Sequence, residues 1–163
     1  MTAKTKTLIL GVGNLLLSDE GVGVRVIEQL QKGYALPDEV HILDGGTMGL
    51  DLLYHLEGVR RLLIIDAVET GKEPGTLIRM TGDEVPAFLS LKISPHQIGI
   101  PDMLFAAKLK DLYPDEVVLL GVQPGLIETG LNLSPPVAAR VEPLIAQAVK
   151  ELERWGLQVK KKQ

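Results

Sequence analysis

The chain has no cysteine among its 163 residues. That excludes disulfides, thiolate zinc sites and a cysteine nucleophile, and leaves any metal chemistry to carboxylate and imidazole. Imidazole is itself scarce, since His41, His55 and His96 are the only three histidines. Positive charge is in deficit as well, with 17 Lys and Arg against 21 Asp and Glu and a net charge of −4. A nucleic-acid partner or an anionic membrane surface would call for the opposite balance. No apolar run approaches the roughly 20 residues of a membrane span, so no membrane insertion is expected. Lys4 and Lys6 followed by "TLILGVGNLLL" imitate a secretion signal poorly, because two glycines and Asn14 interrupt the run and "SDE" follows it. The expectation is a cytoplasmic chain, complete at its N-terminus. A phosphate-binding loop is excluded too, since no glycine-lysine-serine or glycine-lysine-threonine triplet occurs.

What is present is ordinary for a globular protein: 45% hydrophobic and 23% charged residues in a length that suits one domain over 1–163. Four apolar runs rich in branched residues recur, "TLILGV" (7–12), "VHILD" (40–44), "RLLIIDAV" (61–68) and "EVVLLGV" (116–122). They do not alternate between apolar and polar, which is the pattern of parallel strands buried on both faces. "GTLIRMTGD" (75–83) does alternate and reads as an antiparallel edge strand. Helical spacing places Val22, Val26 and Leu30 on one face of 21–32, with Arg25, Glu28 and Gln29 turned away. Further helices are predicted over 49–58, ending on glycine, and over 101–114, bounded by prolines. A last helix opens at Ser134 as N-cap, with a kink or restart at Pro143. The "KKKQ" end reads as a solvated tail. Strand–helix alternation of this kind predicts a three-layer α/β/α sandwich around a mostly parallel five-stranded sheet with one antiparallel edge strand.

Ligands of open α/β sheets bind outside the carboxyl ends of the strands. The first strand delivers Gly11, Gly13, Asn14, Asp19 and Glu20 to that edge. The second delivers Asp44 and "GGTMG", the third Asp66, the last Gly121 and Gln123, and the loop "SPHQIG" adds His96. A dinucleotide fingerprint fails, because its third glycine would fall on Leu16 and an acidic pair would repel a phosphate. Asp19 and Glu20 also suit the positive end of the helix that follows them. Asp66 after four large apolar residues reads either as a loop cap or as a site residue, and Asp44 before two glycines also suits a local turn. His41 and His55 read as structural. The convergence of Glu20, Asp66 and His96 on one edge suits a divalent cation held by oxygen and nitrogen.

"GVGNLLLSDEGVGVRV", "DGGTMG", "LLIIDAV", "SPHQIG" and "GVQP", in this order, resemble the hydrogenase maturation proteases, and the likeness runs from about residue 7 to residue 145. These are endopeptidases that trim the large subunit of nickel–iron hydrogenases. The resemblance implies an α/β/α sandwich and a nickel-sensing tripod that maps onto Glu20, Asp66 and His96, which are thereby the candidate catalytic and metal-ligating residues. It implies a partner too: a large-subunit precursor already loaded with nickel, from which a C-terminal extension is removed. Nickel is then presented by the precursor and is not a tightly bound cofactor of the free protein, which is expected to be a monomer. Asp44, Gly45, Gly46 and Thr47 match a loop associated with substrate recognition, and Gln123 joins them as a substrate-binding candidate. The stretch "GLIETGLN" (125–132) receives no role.

Two carboxylates and an imidazole are a plausible donor set for nickel, and without thiolate they should hold it less firmly than a cysteine-rich site does. Nickel could polarise the scissile carbonyl or supply hydroxide, or a carboxylate could act as general base for water. Two rival classes are a non-proteolytic nickel-checking assembly protein and a metal-dependent hydrolase of other peptides on the same scaffold.

Overall fold

The computed structural model describes residues 4–46, 49–89 and 100–163. Its main sheet has five strands: β1 (Lys6–Val12), β3 (Val40–Gly46), β4 (Val59–Ala67), β5 (Leu77–Thr81) and β6 (Glu116–Val122). They lie in the order β3-β1-β4-β6-β5. The pairs β1–β3, β1–β4 and β4–β6 are parallel, and β5 runs antiparallel to β6 at the edge. This is the architecture expected from the sequence, and its physical origin is visible in the strands. Leu8, Leu10, Leu62, Ile64, Val117 and Leu119 point into one core. The residues between them, Ile9, Leu63, Ile65, Val118 and Leu120, point into the other. A strand buried on both faces needs apolar residues at every position, which is why these runs show no alternation.

Helices supply both covers. On one face lie a 3-10 segment, Gly49–Leu56, and the helices α2 (Glu84–Leu89) and α3 (Ile100–Leu109). On the other lie α1 (Val22–Gly33), α4 (Pro135–Ala138) and α5 (Val141–Arg154). Helix α1 buries Val22, Val26, Ile27 and Leu30 while Glu28 and Gln29 face outward, as its spacing predicts.

Four local expectations need correction. The helix expected over 49–58 is a 3-10 segment, whose three-residue turn stacks Leu53 above Leu56 against the core. Helix α3 stops at Leu109, short of Pro114, because Asp111 turns left-handed (φ 57°) and the Leu112 N–H reaches back to the Ala107 carbonyl. The last helix breaks at Ala139–Arg140, before Pro143, which then sits in the first turn of α5 where its missing N–H is harmless. The tail is not free. Lys160–Lys161 (β7) pairs antiparallel with Tyr34–Ala35 (β2), and the Lys162 N–H donates to the Gly33 carbonyl at 2.8 Å. Trp155, Leu157 and Val159 pack against the core beside Tyr34 and draw that segment in. Among the described residues, no helix is long and apolar enough to cross a membrane.

Candidate functional site

The carboxyl edge of the sheet is built by register. Gly11 of β1 stands between Asp44 of β3 and Ile65 of β4, so Asp66 lies one residue beyond that row, and it is paired with Gly121 of β6. On β3 the pairing jumps from Asp44 to Gly46 while β1 advances from Gly11 to Val12. Gly45 is the extra residue of this bulge. A Cβ there would meet the Leu10 side chain at 2.8 Å, so the bulge is open to glycine alone without repacking. Asp44 is exposed at this corner.

Beyond β1 the chain leaves through Gly13 (φ 127°) and folds back as a 3-10 turn, Ser18–Gly21, which leads directly into α1. The turn sits on top of the strand end: a Cβ on Gly13 would lie 1.8 Å from the Glu20 carbonyl oxygen. Helix α1 descends just as closely, since a Cβ on Gly23 would lie 2.2 Å from the Ile65 carbonyl oxygen and 2.6 Å from that of Val12. Glycine therefore lets the Glu20 turn and the end of β4 share one corner, and two of the three expected ligand positions are brought to the same edge. Glu20 is half-buried, and among the described residues its carboxylate has no hydrogen-bond or ion-pair partner. Asp66 is also half-buried and accepts a hydrogen bond from the Ala67 N–H at 2.8 Å. His96 and Thr47 lie outside the described residues. Among the described residues, no three potential ligands cluster closely enough to hold a metal ion. His41 and His55 line a separate cleft at the amino end of the sheet, with Lys6 and Val59.

Gln123 is at the expected edge, but its side chain is turned inward and only 3% of the residue is exposed. Its Oε1 accepts hydrogen bonds from the Thr70 N–H at 2.7 Å and the Thr70 hydroxyl at 3.0 Å, and its Nε2 donates to the Pro124 carbonyl. The amide is thus occupied in holding the loop that follows Asp66 and Ala67.

Asp19 is the residue whose part local sequence does not disclose. In place of a helix-capping position at the surface, it is fully buried. Its Oδ2 accepts hydrogen bonds from the Gly125 N–H (2.8 Å), the Leu126 N–H (2.7 Å) and the Ser134 hydroxyl (2.7 Å), and its Oδ1 accepts one from the Ser134 N–H (2.7 Å). Burial pushes this carboxyl up, but the bonds from Ser134, Leu126 and Gly125 together hold it below its ordinary pKa. Ser134 consequently makes no side-chain cap for α4, because its hydroxyl is turned to Asp19. No signal near position 19 could have revealed this, as the partners lie 106 to 115 residues away.

Comparison with known proteins agrees with this fold. The profile of the family described as hydrogenase maturation protease matches residues 24–151. The hydrogenase 2 maturation protease of Escherichia coli is 43% identical over 154 residues, 94% of each chain. The hydrogenase expression/formation protein HupD of Rhodobacter capsulatus is 46% identical over 158 residues, 96% of this chain and 75% of that one. Among solved structures, the hydrogenase maturating endopeptidase HybD from E. coli superposes with a TM-score of 0.92 at 42% identity, covering 96% of this chain and 98% of its own. With the profile spanning most of the chain and relatives above 40% identity aligned over nearly its whole length, the chain belongs to the hydrogenase maturation protease family.

Proposed function

We propose that this protein is a cytoplasmic, monomeric endopeptidase that removes the C-terminal extension of a [NiFe] hydrogenase large-subunit precursor, and that the nickel it needs arrives as part of that precursor. The observation that carries the reading is the shared corner of Glu20 and Asp66 in a chain of this family. A half-buried Glu20 carboxylate with no partner among the described residues is available to a cation or a proton, and two carboxylates with an imidazole fit nickel. Nickel carried in the precursor supplies a Lewis acid near the scissile carbonyl.

The remaining work falls to the chain. Glu20, Asp66 and His96 read the loaded precursor and bring the scissile bond to the sheet edge. A carboxylate of this set accepts the proton of the attacking water, which requires no serine, threonine or cysteine nucleophile. Asp44, exposed at this corner, contacts the precursor together with Gly45, Gly46 and Thr47. Gln123 contributes by fixing the loop after Asp66. The reading as a non-proteolytic assembly protein is not favoured, since relatives across the full length are named proteases and endopeptidases.

The test is incubation with candidate precursors, with and without nickel, followed by intact-mass measurement of the subunit and the released peptide. Wild type should cleave the nickel-loaded precursor alone. Glu20→Gln, Asp66→Asn and His96→Ala should fold and leave it uncut. Cleavage that ignores nickel, or that survives these substitutions, would overturn the assignment.

A further inference from the structure

Glu20 has no side-chain partner among the described residues, so its position is inherited from the backbone of the Ser18–Gly21 turn. That turn carries its own 3-10 bonds, with the Glu20 N–H donating to the Leu17 carbonyl at 3.1 Å and the Val22 N–H to the Asp19 carbonyl, but these do not tie it to the rest of the fold. Ser18 is held left-handed at φ 50°, a conformation that persists in a non-glycine residue only where the surroundings over-determine it. Here the surroundings are the segment 125–134. Leu17 and Gly130 form an isolated parallel bridge. The Ser18 N–H donates to the Gly130 carbonyl at 2.9 Å, the Gly130 N–H to the Leu16 carbonyl at 2.9 Å, and the Asp19 N–H to the Leu126 carbonyl at 3.0 Å. The Ser18 hydroxyl donates to the Glu128 carbonyl at 2.9 Å, and the Arg25 guanidinium to the Leu131 carbonyl. At the centre stands the Asp19 carboxylate with its four donors.

We propose that Asp19 is a positioning residue for processing: it clamps the Glu20 turn to the segment 125–134 and so fixes where the Glu20 carboxylate is presented. This rests on the reading of Glu20 as a reacting group. It also gives the stretch "GLIETGLN", to which the sequence assigned nothing, a part in the site.

The clamp requires a carboxylate and not merely a polar side chain of the same shape. Both oxygens accept, three bonds at Oδ2 and one at Oδ1. An amide in the same place carries donors on one side. With its oxygen at the Oδ2 position, its NH2 faces the Ser134 N–H. Flipped, its NH2 faces the N–H groups of Gly125 and Leu126. Asp19→Asn therefore keeps the volume and opens the clamp on one side whichever way it turns. Ser134→Ala removes one donor and leaves the Ser134 main-chain bond, so it loosens the clamp without setting donor against donor. Ser134→Thr keeps the hydroxyl.

The experiment measures kcat and KM for processing of the nickel-loaded precursor by full-length variants, corrected for the folded fraction. Asp19→Asn should lower kcat by at least about tenfold, as misplacement of a reacting group does, with KM held within about twofold. Ser134→Ala should give a smaller loss in kcat, and Ser134→Thr should restore it. Should Asp19→Asn fail to fold, the Ser134 pair decides alone. Wild-type kcat in Asp19→Asn, or equal kcat in Ser134→Ala and Ser134→Thr, overturns the proposal while Glu20→Gln remains inactive. A Glu20→Gln variant that still cleaves would instead remove the reading on which the proposal rests.

Discussion

Replacing Gly23 with alanine sets local helix preference against tertiary packing at the corner that carries the candidate site. Gly23 is the second residue of α1, where alanine would be favoured by up to about 1 kcal/mol on helix propensity alone. The added Cβ, however, would stand 2.2 Å from the Ile65 carbonyl oxygen and 2.6 Å from that of Val12. Both are main-chain atoms of buried strands, so no side chain can rotate aside, and α1 must lift from β1 and β4 together. Overpacking of this kind costs about 1–3 kcal/mol, and two rigid contacts place it at the upper end. The net expectation is a loss of about 2 kcal/mol, which for a chain of this length lowers Tm by roughly 4–8 °C. Gly33, at the other end of the same helix, is the control: a Cβ there meets nothing within 4 Å. Gly33→Ala should stabilise by about 0.4–1 kcal/mol through the unfolded chain. Thermal and urea unfolding followed by far-UV circular dichroism, with Trp155 as a fluorescent reporter, measure both. A Gly23→Ala protein that melts at or above the wild-type temperature would refute the close-approach argument, whatever Gly33→Ala does.

Other perturbations test other parts of the molecule. Gly13→Ala meets both a left-handed backbone and the Glu20 carbonyl, so it should lower Tm and suppress processing together, as thermal melts and precursor mass would record. Glu151 is buried on α5 and held by Arg79 at 2.5 Å and Arg154 at 3.2 Å. Arg79→Met leaves part of that charge uncompensated and should cost about 1–3 kcal/mol. Adding Glu151→Leu should recover most of the loss, whereas additive effects in the double-mutant cycle would contradict the coupling. Burial raises the Tyr113 phenol above its ordinary pKa, and the Asp83 carboxylate adds to the effect. The native state then holds that proton more tightly than the unfolded chain, so this contribution is complete below about pH 10 and is lost as pH rises above it. Tyr113→Phe should remove that part of the alkaline loss in pH-dependent melts, and an identical alkaline profile would count against it.

By itself the sequence determined the sheet and its sidedness. Runs such as "RLLIIDAV" leave no polar face, and a strand without a polar face must be covered twice, which forces helices onto both sides of a parallel sheet. It also determined which edge gathers the acidic groups, because register follows strand direction, and the carboxylates Asp44 and Asp66 follow the apolar runs directly. What only the tertiary structure decided are the contacts between segments far apart in the chain. Asp19 and Glu20 are neighbours with the same kind of side chain, yet one is fully buried under four donors from residues 125–134 and the other is left half-buried without a partner among the described residues. Gln123 turns inward to a loop fifty residues earlier, and the lysine-rich end is drawn into a strand pair by apolar residues before it. The need for glycine at position 23 likewise comes from two carbonyls of other strands. Local pattern encodes how a segment meets water, but the partner of a buried polar group is chosen by whichever distant backbone the fold brings within hydrogen-bonding reach.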